Sequence, residues 1–279
     1  MTKDKPEEKK KDLTSEDTGA VESEEEGSEK EKDVIEVAKE EVKKKAVEPT
    51  DDWKPRTILG KKVKSGAITS INDIFDHNLR IIEPEIVDTL VHDLGSDLLM
   101  VGQSKGKFGG GAKRIFKQTQ KKTPEGNKPS FSSAAVVGNY NGIIGVGFGK
   151  SKDTVPSRDK ATRNAKLNVF RIRRGCGSWL CSCSTPHSIP YTVEGKCGSV
   201  RIQLLPAPKG KGLVVEKECA KILKLAGLND VWSKTFGQTK VKRNLIRACV
   251  KALEQLSEIK IQPDFIKQAG LIEGPIMKQ

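Results

Sequence analysis

Aromatic residues make up only 5% of this 279-residue chain, and apolar residues of all kinds only 35%. That supply suits one or two modest domains and leaves much of the length with little to bury. Long apolar runs are missing as well. No stretch approaches the roughly 18 residues that a transmembrane helix needs, and the opening MTKDKPEEKKKDL lacks the apolar segment of a signal peptide. A membrane protein and a secreted disulfide scaffold are therefore poor readings, and a cytoplasmic location is expected. Histidine is scarce, with three in the chain. His77 and His92 lie in helix-like stretches without a nucleophile and base arranged around them, so no enzyme is expected.

Positive charge is abundant and unevenly placed. Residues 1–50 hold 11 Lys and Arg against 17 Asp and Glu, whereas the remaining 229 residues hold 39 against 20. The body of the chain thus carries +19, masked by an acidic-leaning tail, and an anionic partner is implied. The tail has no aromatic residue and is expected to be disordered over 1–50, with a weak helical stripe between Glu31 and Val47.

An N-terminal arm is expected over 51–82, with a polar Thr69-Ser70 pair ahead of Ile71, Ile74 and Phe75. Pro84 opens a helix of about three turns on the usual length prior, its apolar face carried by Ile86, Val87, Leu90, Val91 and Leu94, with Gly95 as its stop. Glu83, Glu85 and Asp88 read as an acidic first turn. Three strands follow, Leu98 to Val101, Phe131 to Val137 and Ile143 to Phe148, the last two joined by Gly138-Asn139-Tyr140-Asn141-Gly142. A basic helix then runs from about Asp153 to Ile172. This α-β-β-β-α unit spans 83–173. After a Cys/His loop at 174–188, a second unit over 189–257 has strands at Ile189 to Val193 and Val200 to Leu205. A helix ends near Gly227, and another runs from Lys240 to Leu256. Residues 258–279 read as a tail.

Two segments suggest binding. Residues 102–130 form a loop with eight Lys or Arg and a glycine run, long enough to be either functional or simply solvated. Its cations would replace counterions on phosphates, and Phe108 and Phe116 would stack on bases. The glycine-rich 145–151 fails both the Walker and the dinucleotide spacing, since Ile144 and Lys150 stand where glycines are needed. It reads as a structural turn beside a helix.

The sharpest chemistry is RIRRGCGSWLCSCSTPHSIP. Cys176, Cys181, Cys183 and His187 give Cys-x4-Cys-x-Cys-x3-His, with Cys197 ten residues further on. Thiolates and imidazole are the preferred ligands of tetrahedral zinc, and four of them close its shell, so a structural zinc is expected ahead of free thiols. An iron–sulfur cluster is the other tenant of such ligands. Cys219 and Cys249 fall on apolar helix faces and read as core.

The blocks VVGNYNGIIGVGFGKSKDTVP, RRGCGSWLCSCSTPHSIPYTVEGKCGSVRIQLLPAPKGKGLVV and LAGLNDVWSKTFGQTKVKRNLIRA closely resemble the family of small ribosomal subunit protein five, of archaeal and eukaryotic type. The Cys-rich block has the archaeal form, and the likeness covers about residues 56–257. It implies an α+β fold: an N-terminal double-stranded-RNA-binding-like domain (α-β-β-β-α), then a C-terminal β-α-β domain of the ribosomal protein five domain 2-like type. It implies small-subunit rRNA as partner near the decoding region, the mRNA path, and neighbouring proteins three, four and eight. Mapped here, it places rRNA contacts at Lys105, Lys107, Lys113, Arg114 and Lys117. Further contacts are implied at Arg171, Arg173, Arg174, Lys209, Lys211, Lys234, Lys240 and Arg243. Assembly and translational accuracy are the implied roles. A double-stranded-RNA-binding module outside the ribosome is the alternative.

Overall fold

The structure is a computed structural model that describes residues 53–91, 93–104, 106 and 113–275. The expected tail at 1–50, His92, Lys105, Lys107 and Phe108 lie outside the described residues.

The arm folds into two short helices with side-chain caps. Thr57 opens α1 (Ile58–Lys64), its hydroxyl accepting from the Gly60 amide at 3.0 Å, and Ser70 opens α2 (Ile71–Asp76) by accepting from the Asp73 amide at 3.3 Å. Each cap satisfies an amide that the first turn leaves without a partner. Helix α3 (Glu85–Leu90) is only six residues long, half the expected length, because Val91 already has extended backbone. Glu83 does not serve the first turn of α3. Its carboxylate accepts from the Arg56 and Thr57 amides at 2.8 and 2.7 Å, pinning the arm. Burial would push this carboxyl up, but those amides outweigh it and hold the group below its ordinary value.

Five strands form the first sheet: β1 (Gly95–Leu99), β2 (Lys117–Thr123), β3 (Gly126–Gly138), β4 (Ile143–Ser151) and β5 (Val169–Arg171). The path is β1-β3-β4-β5, all antiparallel. Strand β2 pairs with the first half of β3, Lys117 opposite Ser132 through Thr123 opposite Gly126, and β1 pairs with the second half. Much of the stretch expected to be a loop is therefore a long exposed hairpin. Helix α4 (Thr154–Leu167) lies on one face of this sheet, where Ala135 and Val137 meet Ala161 and Ala165. The opposite face, with Ala134, Val136, Ile144 and Val146, enters the main core. Period-two alternation sorts the two sets.

The alternation also explains the glycines of GVGFG. Gly145, Gly147 and Gly149 all face α4, against Ser157, Ala161 and Ala165, which recur every fourth residue. A Cβ on Gly147 would stand 2.2 Å from the Ala165 nitrogen and 2.3 Å from the Ala161 carbonyl oxygen. The segment is a strand bearing a glycine stripe, and it lets helix backbone approach sheet backbone.

Strand β6 (Arg173–Arg174) leads through the Cys/His loop to the second sheet: β7 (Val193–Cys197), β8 (Val200–Pro206), β9 (Leu213–Val214) and β10 (Val231–Phe236). Its order is β7-β8-β10-β9. The parallel β9–β10 pair is joined by α5 (Lys217–Leu225), as parallel neighbours require a crossover. Helix α6 (Lys242–Glu258) buries Leu245, Ile246, Cys249, Leu253 and Leu256. Cys219 and Cys249 are both fully buried, as their helical spacing indicates. The main core is continuous: first-sheet residues pack with Ile202, Leu204, Ile222 and Leu253 of the second half.

The expected tail is ordered where it is described. Helix α7 (Pro263–Gln268) is followed by β11 (Ile272–Glu273), which pairs with β6. Glu273 accepts from Arg171 and Arg173, each at 2.7 Å. These groups are partly solvated, so Glu273→Gln is expected to cost only about 1 kcal/mol. Hydrogen exchange should speed up at the 272–274 amides while α6 keeps its protection. Equal acceleration in both segments would mean that β11 is not held this way.

Candidate nucleic-acid interface and metal centre

A cleft of about 510 Å³ opens where the first sheet meets the start of α6. The base of the 102–116 loop is fixed beside it by the Gly102 amide on the Arg114 carbonyl at 2.8 Å and by a bridge between Ser104 and Lys113. Lys113, Lys117, Lys150, Lys240, Lys242 and Arg243 line the cleft, and no carboxylate does among the described residues. Burial, then the charge of Lys242, lower the Lys113 ammonium below its ordinary value, against the opposing pull of Glu216 and Glu218; Lys242 itself pairs with Glu216 at 2.7 Å. Phe148 forms part of the wall, with the guanidinium carbons of Arg243 and Arg247 each 5.0 Å from its ring centroid. Stacking on the ring holds both cations at the rim.

Of the residues expected to meet RNA, Lys113, Lys117, Lys240 and Arg243 are thus brought together. Arg114 is exposed just outside the cleft. Lys209, Lys211 and Lys234 are exposed elsewhere, on the turn after β8 and on β10. The three arginines before the Cys block are placed differently from the expectation. Arg174 is 4% exposed and donates to the Asn141 side chain at 2.6 Å. Arg171 pairs with Asp76 and Glu273, and Arg173 with Glu273 and the Leu256 and Ile259 carbonyls. Their charge closes the fold around β11.

In the Cys/His loop, the donor atoms of Cys176, Cys181, Cys183 and His187 all lie within 4.8 Å of one another. Ligands about 2.3 Å from a tetrahedral ion stand roughly 3.8 Å apart, so this set fits a single cation after small adjustment. His187 Nε2 lies 3.9 Å from Cys181 Sγ. Its Nδ1 lies 2.8 Å from Asp230 Oδ2, and both residues are buried. Donation from Nδ1 leaves the Nε2 lone pair facing the thiols, the arrangement of metal-ligating histidines. Asp230 is itself fixed, its Oδ1 accepting from the Gly212 amide at 2.8 Å and its carbonyl from the Ser188 hydroxyl. Burial pushes the Cys176 thiol up to about 11, whereas the Thr185 hydroxyl, 3.0 Å from Cys183 Sγ, draws that thiol down to about 6. Cys197 belongs to the β7–β8 hairpin, outside this cluster.

Two family models match the chain, "Ribosomal protein S5, N-terminal domain" over residues 115–173 and "Ribosomal protein S5, C-terminal domain" over 195–265. The small ribosomal subunit protein uS5 of Nanoarchaeum equitans is 48% identical over 229 residues, covering 82% of this chain and 98% of that protein. The uS5 of Methanocaldococcus jannaschii is 44% identical over 227 residues, covering 81% of this chain and 98% of that protein. That of Staphylothermus marinus is 46% identical, covering 79% and 96%. The chain belongs to the uS5 family.

Membership agrees with the resemblance seen in the three sequence blocks and with the α+β fold. The Cys/His cluster falls in the gap between the two matched segments, so its support as a candidate metal site is its own geometry. Lys150, Lys242, Arg247 and Phe148 were not singled out for RNA from sequence. The cations of α6 were within reach, since Lys242 sits between the expected Lys240 and Arg243. Asp230 was not, because 43 residues of sequence separate it from His187.

Proposed function

We propose that this protein is a structural constituent of the small ribosomal subunit that binds rRNA near the decoding region and the mRNA path. On this reading it works in the cytoplasm and supports subunit assembly and translational accuracy. The basic cleft, with no carboxylate among its described lining residues, carries the RNA reading. Phosphates seated there would displace counterions from both partners, and contacts of this kind fix register and orientation without reading bases. Lys113, Lys117, Lys150, Lys240 and Arg243 are assigned to phosphate contact in the cleft. Arg114, Lys209, Lys211 and Lys234 are assigned to contact from exposed turns and strands, and Lys105 and Lys107 to contact from the loop. Proteins three, four and eight of the small subunit are the proposed neighbours.

The proposed metal is zinc, held by Cys176, Cys181, Cys183 and His187. With four protein ligands it would supply cross-linking and no open position for chemistry. The residues around it hold the loop in register: Asp230 orients His187, and the Cys176 amide donates to the Ala269 carbonyl at 2.8 Å.

Binding of purified chain to small-subunit rRNA across a salt series tests the cleft. Each phosphate contact contributes about 0.7–0.9 to the slope of log affinity against log salt, so the double change Lys117→Glu and Arg243→Glu should flatten it by roughly 1.5. An unchanged slope would remove the cleft from the interface. Sedimentation distinguishes the alternative, since a free double-stranded-RNA-binding module would not travel with small subunits after a high-salt wash.

A further inference from the structure

Residues 175–193 contain no Lys, Arg, Asp or Glu, a run of 19 in a chain where 31% of residues are charged. Near the start of the run, Ser178 to Cys181 form a tight turn, closed by the Cys181 amide on the Ser178 carbonyl at 3.1 Å. Turn centres ordinarily take Gly, Asn, Asp, Ser or Pro. Here they are Trp179 and Leu180, which are 92% and 57% exposed. Trp179 is the most exposed large apolar side chain among the described residues. Both flanks of the turn are fixed: Ser178 is buried, and Cys181 belongs to the Cys/His cluster. Behind the cluster the Ser184 hydroxyl donates to the Gln268 carbonyl of α7 at 2.9 Å, and α7 itself exposes Phe265 and Ile266.

We propose that the Trp179–Leu180 turn is a knob that docks into an apolar pocket on a neighbouring protein. The proposal rests on the reading that the chain is built into the small subunit. An RNA surface is the poorer counterpart: an exposed aromatic can stack on a base, but such sites combine stacking with cations that hold the backbone. The run offers none, and Arg173 and Arg174 just before it are engaged inside the fold. A second copy is also a poor counterpart, since a convex tip is not complementary to itself. A protein pocket fits: interface centres are depleted in charge and enriched in tryptophan, and a rigidly held aromatic loses little freedom on docking. The Cys/His cluster thereby acquires a role in presentation, holding the turn in one shape.

The test places a photoreactive benzophenone amino acid at position 180 in the full chain, which is then incorporated into reconstituted small subunits and irradiated. The expected product is one adduct, to a single protein neighbour. Trp179→Ala in the same chain should weaken retention of that neighbour about thirtyfold, the effect of truncating a central anchor. The same variant should leave rRNA binding and its salt slope unchanged. An adduct to rRNA, an adduct to a second copy, or no adduct in subunits that contain the chain would each overturn the knob while leaving the ribosomal reading standing. A chain that fails to enter subunits at all would overturn that reading and the knob with it. Acrylamide quenching of a single-tryptophan chain (Trp53→Phe, Trp232→Phe) gives an independent check. Trp179 should be fully accessible in the free chain and in the complex with rRNA alone, and shielded severalfold in the subunit.

Discussion

Gly147→Val is expected to lower the melting temperature by about 8–20 °C, from a cost of roughly 4–5 kcal/mol at 2–4 °C per kcal/mol in a domain of this size. The reason is backbone against backbone. A side chain at 147 would have to displace the main chain of α4 at Ala161 and Ala165, which no rotamer change can relieve. Lifting α4 would also uncover Ala135 and Val137 on that face of the sheet. The proper comparison is Gly210→Ala. Gly210 has φ +89° and open space around its Cβ, so that change carries only a left-handed backbone penalty of about 1–2 kcal/mol. Circular dichroism melts of the two variants and the parent decide the matter. If Gly147→Val melts no lower than Gly210→Ala, the helix does not sit on the glycine stripe as described.

The second large effect concerns the proposed zinc. Asp230→Ala should weaken zinc binding about 10- to 100-fold, the usual consequence of removing the group that orients a ligating histidine. Asp230→Asn, which keeps an acceptor for the imidazole N–H, should fall between it and the parent. Cys181→Ser removes a ligand outright and should abolish the bound ion in native mass spectra recorded with the thiols reduced. Competition against a chromogenic zinc chelator measures all three. Parent-like affinity in Asp230→Ala would show that Asp230 does not orient a ligating His187, and freely alkylated cysteines in the parent would dismiss the metal altogether.

The helices with a regular apolar face were legible in the sequence. The expected 153–172 and 240–256 are close to Thr154–Leu167 and Lys242–Glu258, because side chains at helical period leave a signal that packing later uses. The four cluster residues were legible too, because they lie within twelve positions of one another and belong to ligand types. Strand β2 was not. KQTQKKT has no apolar alternation, and its strand character comes from pairing with β3 and from nothing it buries. Strand β7 was expected four residues early, because Gly195 looks like a turn. In the fold it lies mid-strand against the Ala248 carbonyl of α6, 1.9 Å from where a Cβ would be. The internal partners of the arginines at 171, 173 and 174 were hidden for a related reason. A count of charge cannot show a carboxylate that arrives about a hundred residues later.

That distance also has a temporal meaning. At about 5–20 residues per second, a chain leaving its own ribosome exposes Glu273 some 5–20 s after Arg173. Through that interval β6 has no partner strand, and Arg173 lacks the carboxylate of Glu273. Everything the Cys/His loop needs from its own ligands is already present, while its backing from Gln268 and Ala269 is not. Binding of the proposed zinc would then precede closure, with the later-synthesised β11 segment as a latch over a site assembled before it.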